Sequence, residues 1–241
     1  MGEKKIVLFL VEGTSDIDAL ENNLEEIYEK YNIEFKALRC DITADESSTC
    51  TNIEKILIEK IDEFLNKHSE VTDKDILSVV QIVDLDGAGI PCEKIIQSKH
   101  KKTTYTEELI YAKNRERLVA RNMRKRNILS SLKNKKMIGK NDKNKEENYK
   151  LDYHIYYFSR NLEHALYNLD GEYSKEEKET LAIEFADKFE GREEEFIEYL
   201  RKPEIMISGS YQDTWNYILS ELHSLQRGSN LHLLFETIPF K

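Results

Sequence analysis

Three carboxylates stand where apolar runs of this 241-residue chain stop. Glu12 follows IVLFLV, residues 6–11, within LVEGTSDIDAL, and Asp84 and Asp86 follow ILSVVQIV, residues 76–83, within VDLDGAG. A strand alternates its faces with period two, so the spacing predicts that Asp84 and Asp86 point one way and Leu85 the other. Such an oxygen-rich arrangement is a chelating one. Magnesium takes hard oxygen ligands, keeps several waters, and binds through one or two carboxylates plus substrate phosphate oxygens. The expected cofactor is therefore Mg2+ or Mn2+, with Glu12, Asp16, Asp84 and Asp86 as the candidate ligands. Gly13, Gly87 and Gly89 remove side-chain bulk where a phosphate would approach the backbone. Asp16 has two readings, an acid opening a helix electrostatically or a ligand to a second metal. Thr14 and Ser15 read as helix caps or as phosphate ligands.

The elements that must position these groups follow from periodicity. Residues 6–11 and 76–83 are continuous apolar runs of the kind buried on both faces of a parallel sheet. A helix is expected from Asp16, with Ile17, Leu20, Leu24, Ile27, Tyr28 and Tyr31 on one stripe. A more exposed strand follows at Ile33, Phe35 and Ala37, then a polar loop from Asp41 to Thr51 and a helix through Ile53, Leu57, Ile61 and Leu65. Pro91 precedes a short helix expected at Glu93–Gln97. Thr104 to about Lys136 has helix-forming composition and reads as a helical insertion, with GKNDKNKEEN from Gly139 as a mobile return. YHIYYF, residues 153–158, predicts an aromatic strand, and helices are expected from Asn161, over Ser174–Lys188 and over Arg192–Leu200. A last helix from Gln212 carries Trp215, Ile218, Leu219, Leu222 and Leu225, with Gly228 as its cap. The tail LHLLFETI is read as an edge strand. The division expected is a core over residues 1–98, a basic insertion over 99–150, and the rest of the core with C-terminal helices over 151–241.

Composition narrows the class. With 39% hydrophobic and 34% charged residues, the chain reads as a soluble globular protein with a charged surface. No run approaches the roughly 20 apolar residues of a membrane span. The first apolar run meets Glu12 within a few residues, so it reads as a buried strand and not as a signal peptide, and the expected location is cytoplasmic. Cys40, Cys50 and Cys92 are widely spaced, which indicates neither a disulfide framework nor structural zinc. There is no phosphate-binding G-x-x-x-x-G-K-[ST] loop and no G-x-S-x-G elbow. The net charge of −10 hides an asymmetry, for residues 99–145 hold 16 Lys and Arg against 4 Asp and Glu. That segment suits a polyanion, or it is a solvated arm that keeps the chain soluble. The candidate nucleic-acid contacts are Arg115, Arg117, Arg121, Arg124, Lys125 and Arg126.

EGTSD followed some seventy residues later by D-x-D-x-A-G resembles the two signature motifs of the TOPRIM domain. That domain is shared by bacterial primases, type IA and type II topoisomerases, recombination-repair proteins of the RecR type and nucleases of the OLD group. FSRNLEHAL and SLQRGSNLHLLF are similar to segments of small stand-alone TOPRIM proteins of phage defence and abortive infection, RloB-like and PARIS-type. The resemblance covers roughly residues 6–90. It implies an α/β fold, a Rossmannoid parallel-sheet core flanked by helices, with the basic insertion and a helical C-terminal region added. It further implies that Asp84 and Asp86 hold metal and that Glu12 transfers protons or joins the metal.

The expected function is a metal-dependent nuclease, a phage-defence effector cleaving phosphodiester bonds in RNA or DNA. Partners would be nucleic acid, a companion ATPase and a second copy in a homodimer, with no membrane. The alternative is a non-catalytic adaptor or sensor of the same fold that binds nucleic acid, a nucleotide or a partner ATPase. Nucleotidyl transfer by the same carboxylates is a third reading. Arg160, Glu163 and His164 are accessory candidates: Glu163 and His164 read as an additional acid and base, or as a first-turn glutamate and a packed histidine. Arg227 and Asn230 read as anchors at a helix end or as substrate contacts.

Overall fold

A computed structural model describes residues 4–140, 148–171 and 173–238. The first apolar run forms β1 (Lys5–Val11), and the stripe after it forms α1 (Thr14–Glu29), which returns the chain to β2 (Ile33–Arg39). Helix α2 (Ile53–Lys67) then leads into β3 (Ile76–Asp84). Strand β1 pairs in parallel with β2 on one side and with β3 on the other. A right-handed crossover in each direction must put α1 and α2 on opposite faces of the sheet. The packing agrees. Val7, Phe9 and Val11 join Leu20, Leu24 and Ile27 of α1 in one buried cluster, whereas Leu8 and Leu10 join Leu57 and Ile61 of α2 in the other.

Between β3 and the next core strand the chain builds β4 (Ile95–Gln97), β5 (Thr104–Tyr105), β6 (Ile110–Ala112), α3 (Arg115–Leu132) and β7 (Met137–Lys140). Strand β8 (Tyr149–Phe158) then lies parallel to β3, and β7 closes the edge antiparallel to β8. The result is an α/β protein with a five-stranded sheet, mostly parallel, of order β2-β1-β3-β8-β7. The chain continues through α4 (Leu162–Tyr167), α5 (Lys175–Phe189), α6 (Glu193–Leu200), α7 (Tyr211–Ile218) and α8 (Leu234–Thr237). Phe185 and Phe196 complete the α1 face, while Trp215 and Ile218 complete the α2 face. Among the described residues no helix is long and apolar enough to cross a membrane.

Seven expectations are corrected, four of them between β3 and β8. The segment from Thr104 is not helical throughout, since β5 and β6 join β4 in a small sheet of order β4-β6-β5. The short helix expected at Glu93–Gln97 is a single 3-10 turn, Cys92–Lys94, running into β4. Nor is the basic segment a solvated arm, because Ile128, Leu129 and Leu132 of α3 pack into the α2 face. Gly139 and Lys140 belong to β7 and not to the return loop, and a Cβ at Gly139 would lie 2.1 Å from the Tyr149 carbonyl oxygen. The rest of that expected loop, residues 141–147, falls outside the described residues.

The last helix stops at Ile218, seven residues short of the expected Leu225; Glu221 has a left-handed φ of 48°, which a continuing helix excludes. Gly228 caps nothing. Its carbonyl accepts from the Ser159 N–H at 2.9 Å, joining the C-terminal region to the end of β8. The tail is a 3-10 turn, Leu231–Leu233, and α8, with no edge strand. Leu231, Leu234 and Phe235 are adjacent or three to four apart, which suits a helical face, and all three are buried.

Candidate active site

In an open parallel sheet, ligands bind outside the carboxyl ends of the strands where the strand order reverses. Here the chain leaves β1 towards β2 and comes back across it to β3, so the reversal lies between β1 and β3. Glu12 is the first residue after β1 and Asp84 is the last of β3. Both therefore stand at the one crevice that this topology opens.

Glu12 is 12% exposed in its side chain, and its Oε1 accepts from Thr43 Oγ1 at 2.8 Å. Burial pushes its carboxyl up to about 7, Lys125 opposing and the nearby Asp86 and Asp41 carboxylates adding to the rise. A carboxyl group that titrates near neutrality can both give and accept a proton. Asp16 takes the capping role, since its Oδ2 accepts from the Gly13 N–H at 2.8 Å, three residues upstream. It is buried nonetheless, and burial raises it to about 6, with the Gly13 bond opposing and Glu163 reinforcing.

Asp84 is the least compensated member. Burial first, then Asp16, Glu12 and Asp86, hold its carboxyl well above the usual range, and among the described residues no side chain hydrogen-bonds or ion-pairs with it. Asp86 lies beyond the strand, in a turn with φ of 52° followed by Gly87 at 71°. Its approach to Asp84 thus comes from a left-handed turn and not from strand alternation; aspartate tolerates that conformation better than most residues. A Cβ at Gly87 would meet Ile110 Cδ1 at 2.5 Å, so glycine is required there for space as well as for φ. Burial opposes ionisation of Asp86, but Lys125 and Arg121 outweigh it and hold the group below its ordinary value.

The basic segment supplies that compensation from inside the protein. Lys125 of α3 is fully buried, and its Nζ lies 3.1 Å from Glu12 Oε1 and 3.0 Å from Asp86 Oδ2. One turn earlier, Asn122 Nδ2 donates to the Asp86 and Gly87 carbonyls at 3.3 and 3.2 Å. Helix α3 thus fixes both the backbone of the turn and the carboxylate on it. Lys125 was expected on a nucleic-acid surface; its burial removes it from that role and makes it the counter-ion of the site. The signal was present, because Leu118, Asn122, Lys125, Leu129 and Leu132 form one buried helical stripe with two polar members.

The other cations divide. Arg115 donates to the Ile95 and Cys92 carbonyls at 2.7 and 3.0 Å. Arg126 donates to those of Gly89 and Leu219, both at 3.4 Å. These two are anchors within the fold. Arg117 is exposed and pairs with Glu46, Arg124 reaches the Ala44 carbonyl, and Arg121 stands 3.8 Å from Asp86 Oδ2. Arg117, Arg121 and Arg124 wall a shared groove that neighbours the site.

Among the accessory candidates, Glu163 is buried and pairs with Lys178 at 2.8 Å. Burial and the neighbouring Arg160 push the His164 imidazole down to about 4, with Asp170 opposing, so it is neutral at pH 7. Arg160 donates to the Leu225 carbonyl at 2.7 Å and pairs with Asp170 at 2.6 Å. Arg227 holds the Ala165 and Leu166 carbonyls, and Asn230 bonds Tyr157 and Thr214, so both are anchors. Arg121, Arg160 and Lys178, with Tyr105 and Tyr173, wall a cavity of about 310 Å³ that opens beside Asp86. Sequence reading missed Thr43, Asp41 and Lys178, which reach the site from a loop and from α5.

The donor set is compatible in kind with a hard divalent cation. Its oxygens are carboxylates, and Asp84, crowded by three others and paired with none, is the group such a cation would relieve. Among the described residues no three His, Cys, Asp or Glu side chains stand close enough to hold a metal together. The footing left is one or two carboxylates, which magnesium accepts when waters and phosphate oxygens complete its shell. Comparison of the chain with known protein families, with curated proteins and with solved structures finds no match in any of the three.

Proposed function

We propose that this protein is a metal-dependent nuclease of TOPRIM type, cleaving phosphodiester bonds in RNA or DNA. The observation that carries the reading is the gathering of Glu12, Asp16, Asp84 and Asp86 at the strand-order reversal, with Asp84 left without a hydrogen-bond or ion-pair partner among the described residues. Asp84 and Asp86 would hold Mg2+ or Mn2+, which supplies Lewis-acid stabilisation of phosphate charge and an activated water. Glu12, titrating near 7, transfers the proton between water and the leaving oxygen. Lys125 keeps Glu12 and Asp86 in register. Arg117, Arg121 and Arg124 hold the backbone through phosphates, which gives affinity that falls with salt and little reading of sequence. The cellular setting in this proposal is phage defence by abortive infection, with a companion ATPase restraining the enzyme.

One observation favours the non-catalytic adaptor reading: the Lys125 ammonium already pairs with two of the four carboxylates, so part of the site is satisfied without metal. Incubation with end-labelled RNA and DNA panels, with and without Mg2+ or Mn2+, decides between them. Metal-dependent cleavage that disappears in D84N/D86N, with an unchanged circular dichroism spectrum, is the expected outcome. Equal cleavage by the double variant refutes the nuclease assignment. Salt-sensitive binding with no cleavage of any substrate supports the adaptor.

A further inference from the structure

The cavity of about 310 Å³ beside Asp86 is walled by side chains from separate stretches of chain. Arg121 comes from α3, Tyr105 from β5, Arg160 and Asn161 from the turn between β8 and α4, and Tyr173 and Lys178 from the entry to α5. Most of what they present is donors. Arg160 is 5% exposed, and its Nε and Nη1 are committed to the Leu225 carbonyl and to Asp170, while its Nη2 has no hydrogen-bond partner among the described residues. Asn161 Oδ1 caps α4 by accepting from the His164 N–H at 2.9 Å, so the end of that amide left without a partner among the described residues is the donor, Nδ2. Lys178 Nζ gives Glu163 one of its three donors, and Arg121 leaves Nη1 unpaired among the described residues. Among the described residues that line the cavity, these cations face one carboxylate, Asp86, which Lys125 already holds.

A ligand that completes such a wall must be anionic and rich in acceptors, and a phosphate is both. The tyrosines ask for something more. Neither Tyr105 nor Tyr173 stacks on another aromatic ring among the described residues, so both rings are left for a planar ligand. Unpaired nucleic-acid bases stack on aromatic side chains in this way, whatever their sequence. Size sets the number of nucleotides. A volume of about 310 Å³ stands at the lower limit of small-ligand pockets, about 300–1,000 Å³, which is room for one nucleotide and not for a base pair.

The cavity is also continuous with the groove of Arg117, Arg121 and Arg124, because the two share Thr103 and Arg121 as lining residues. A strand seated in the groove therefore runs on into the cavity beside Asp86. We propose that this cavity is the subsite for one unpaired nucleotide, its phosphate on Arg160, Arg121 and Lys178 and its base against Tyr105 and Tyr173, and that the substrate is accordingly single-stranded nucleic acid. Assigning that nucleotide to a substrate rests on the nuclease reading, whereas the subsite itself does not. A base held in a duplex must leave its stack before it can enter, so the same sequence should bind about a hundredfold more weakly when paired.

Isothermal titration of the full chain with adenosine monophosphate in EDTA, where no metal-dependent step can run, tests the subsite. One molecule per chain is expected, bound more tightly than inorganic phosphate or adenosine alone, and displaced by a short single strand far better than by the same strand annealed to its complement. Y173L should weaken the nucleotide about tenfold by removing a stacking face, and Y173F, which keeps the ring, should recover it. R160K keeps the charge and loses the guanidinium fork, and should also cost about tenfold. K55Q removes a cation from an exposed position on α2 outside the cavity and should change nothing. Inorganic phosphate binding as tightly as the nucleotide, equal affinity in Y173L, or equal displacement by strand and duplex would overturn the proposal. Cleavage of nucleic acid without nucleotide binding would remove the subsite and keep the nuclease reading. Nucleotide binding in the expected pattern by a protein that cleaves nothing would do the reverse.

Discussion

Replacing Lys125 with methionine keeps most of the buried aliphatic stem and removes an ammonium that touches both Glu12 and Asp86. Breaking a buried ion pair by deleting one partner costs about 3–5 kcal/mol, because the remaining charge is left desolvated. For a chain of this length that corresponds to a fall in Tm of roughly 10 °C at pH 8. The pH dependence carries the sign. Glu12 titrates at about 7 in the fold against an ordinary 4.5, so between those values the folded state binds more protons and stability falls as pH rises. Lys125 opposes that rise, hence K125M should move the folded value of Glu12 higher still and extend the loss to higher pH. At pH 5, where the Glu12 carboxyl is protonated in the fold of both proteins, the difference in Tm should be smaller than at pH 8 and should keep the part due to Asp86, which stays ionised beside Lys125. Differential scanning calorimetry across pH 5–8 measures it. A penalty of the same size at pH 5 and pH 8 would show that Lys125 does not act through the ionised Glu12, and an unchanged Tm at pH 8 would refute the counter-ion role.

Four other substitutions separate roles within the same region. D84N removes a carboxylate that is crowded by three others and paired with none among the described residues, so it should raise the metal-free Tm by a few degrees while abolishing any stabilisation by Mg2+, both read by thermal shift. R117A should leave Tm unchanged and weaken nucleic-acid binding uniformly, lowering the log-affinity against log-salt slope by about one in fluorescence anisotropy titrations. R126A should instead lower Tm, by about 1–3 kcal/mol of stability, because the Gly89 and Leu219 carbonyls lose their donor. G89A should be more damaging than most surface changes, since its Cβ would lie 2.8 Å from the Ile218 carbonyl oxygen; a soluble variant with the parental urea midpoint would contradict that packing.

The positions of Glu12 and Asp84 were readable because each follows an uninterrupted apolar run, and such a run ends where the sheet ends. The opposite-face placement of α1 and α2 was equally accessible, from handedness once the strands were assigned. Asp86 was found by a rule that does not operate there, because period two holds only inside a strand and the residue sits in a left-handed turn. What fixes that turn is Asn122, 36 residues away, and no local pattern encodes a contact of that separation. The C-terminal helix failed for a related reason. Its apolar spacing continues through Leu222 and Leu225, yet the left-handed Glu221 breaks the backbone while both leucines still pack against the small sheet.

The basic segment shows how a charge count misleads when burial is unknown. Sixteen cations in residues 99–145 suggest a polyanion on the surface. Yet Arg115 and Arg126 are spent on backbone carbonyls, and Lys125 is enclosed with two carboxylates that lie just past the ends of β1 and β3. Part of the positive excess therefore balances part of the negative excess within the fold, and the apparent asymmetry is smaller at the surface than along the sequence. A carboxylate cluster dense enough to attract a divalent cation would repel itself during folding. A cation delivered by a separate segment lets Glu12 and Asp86 approach each other within the fold. The helix that looked like an appendage for substrate is, on this argument, what allows the site to exist in the folded chain, because its inward lysine holds two of the carboxylates together.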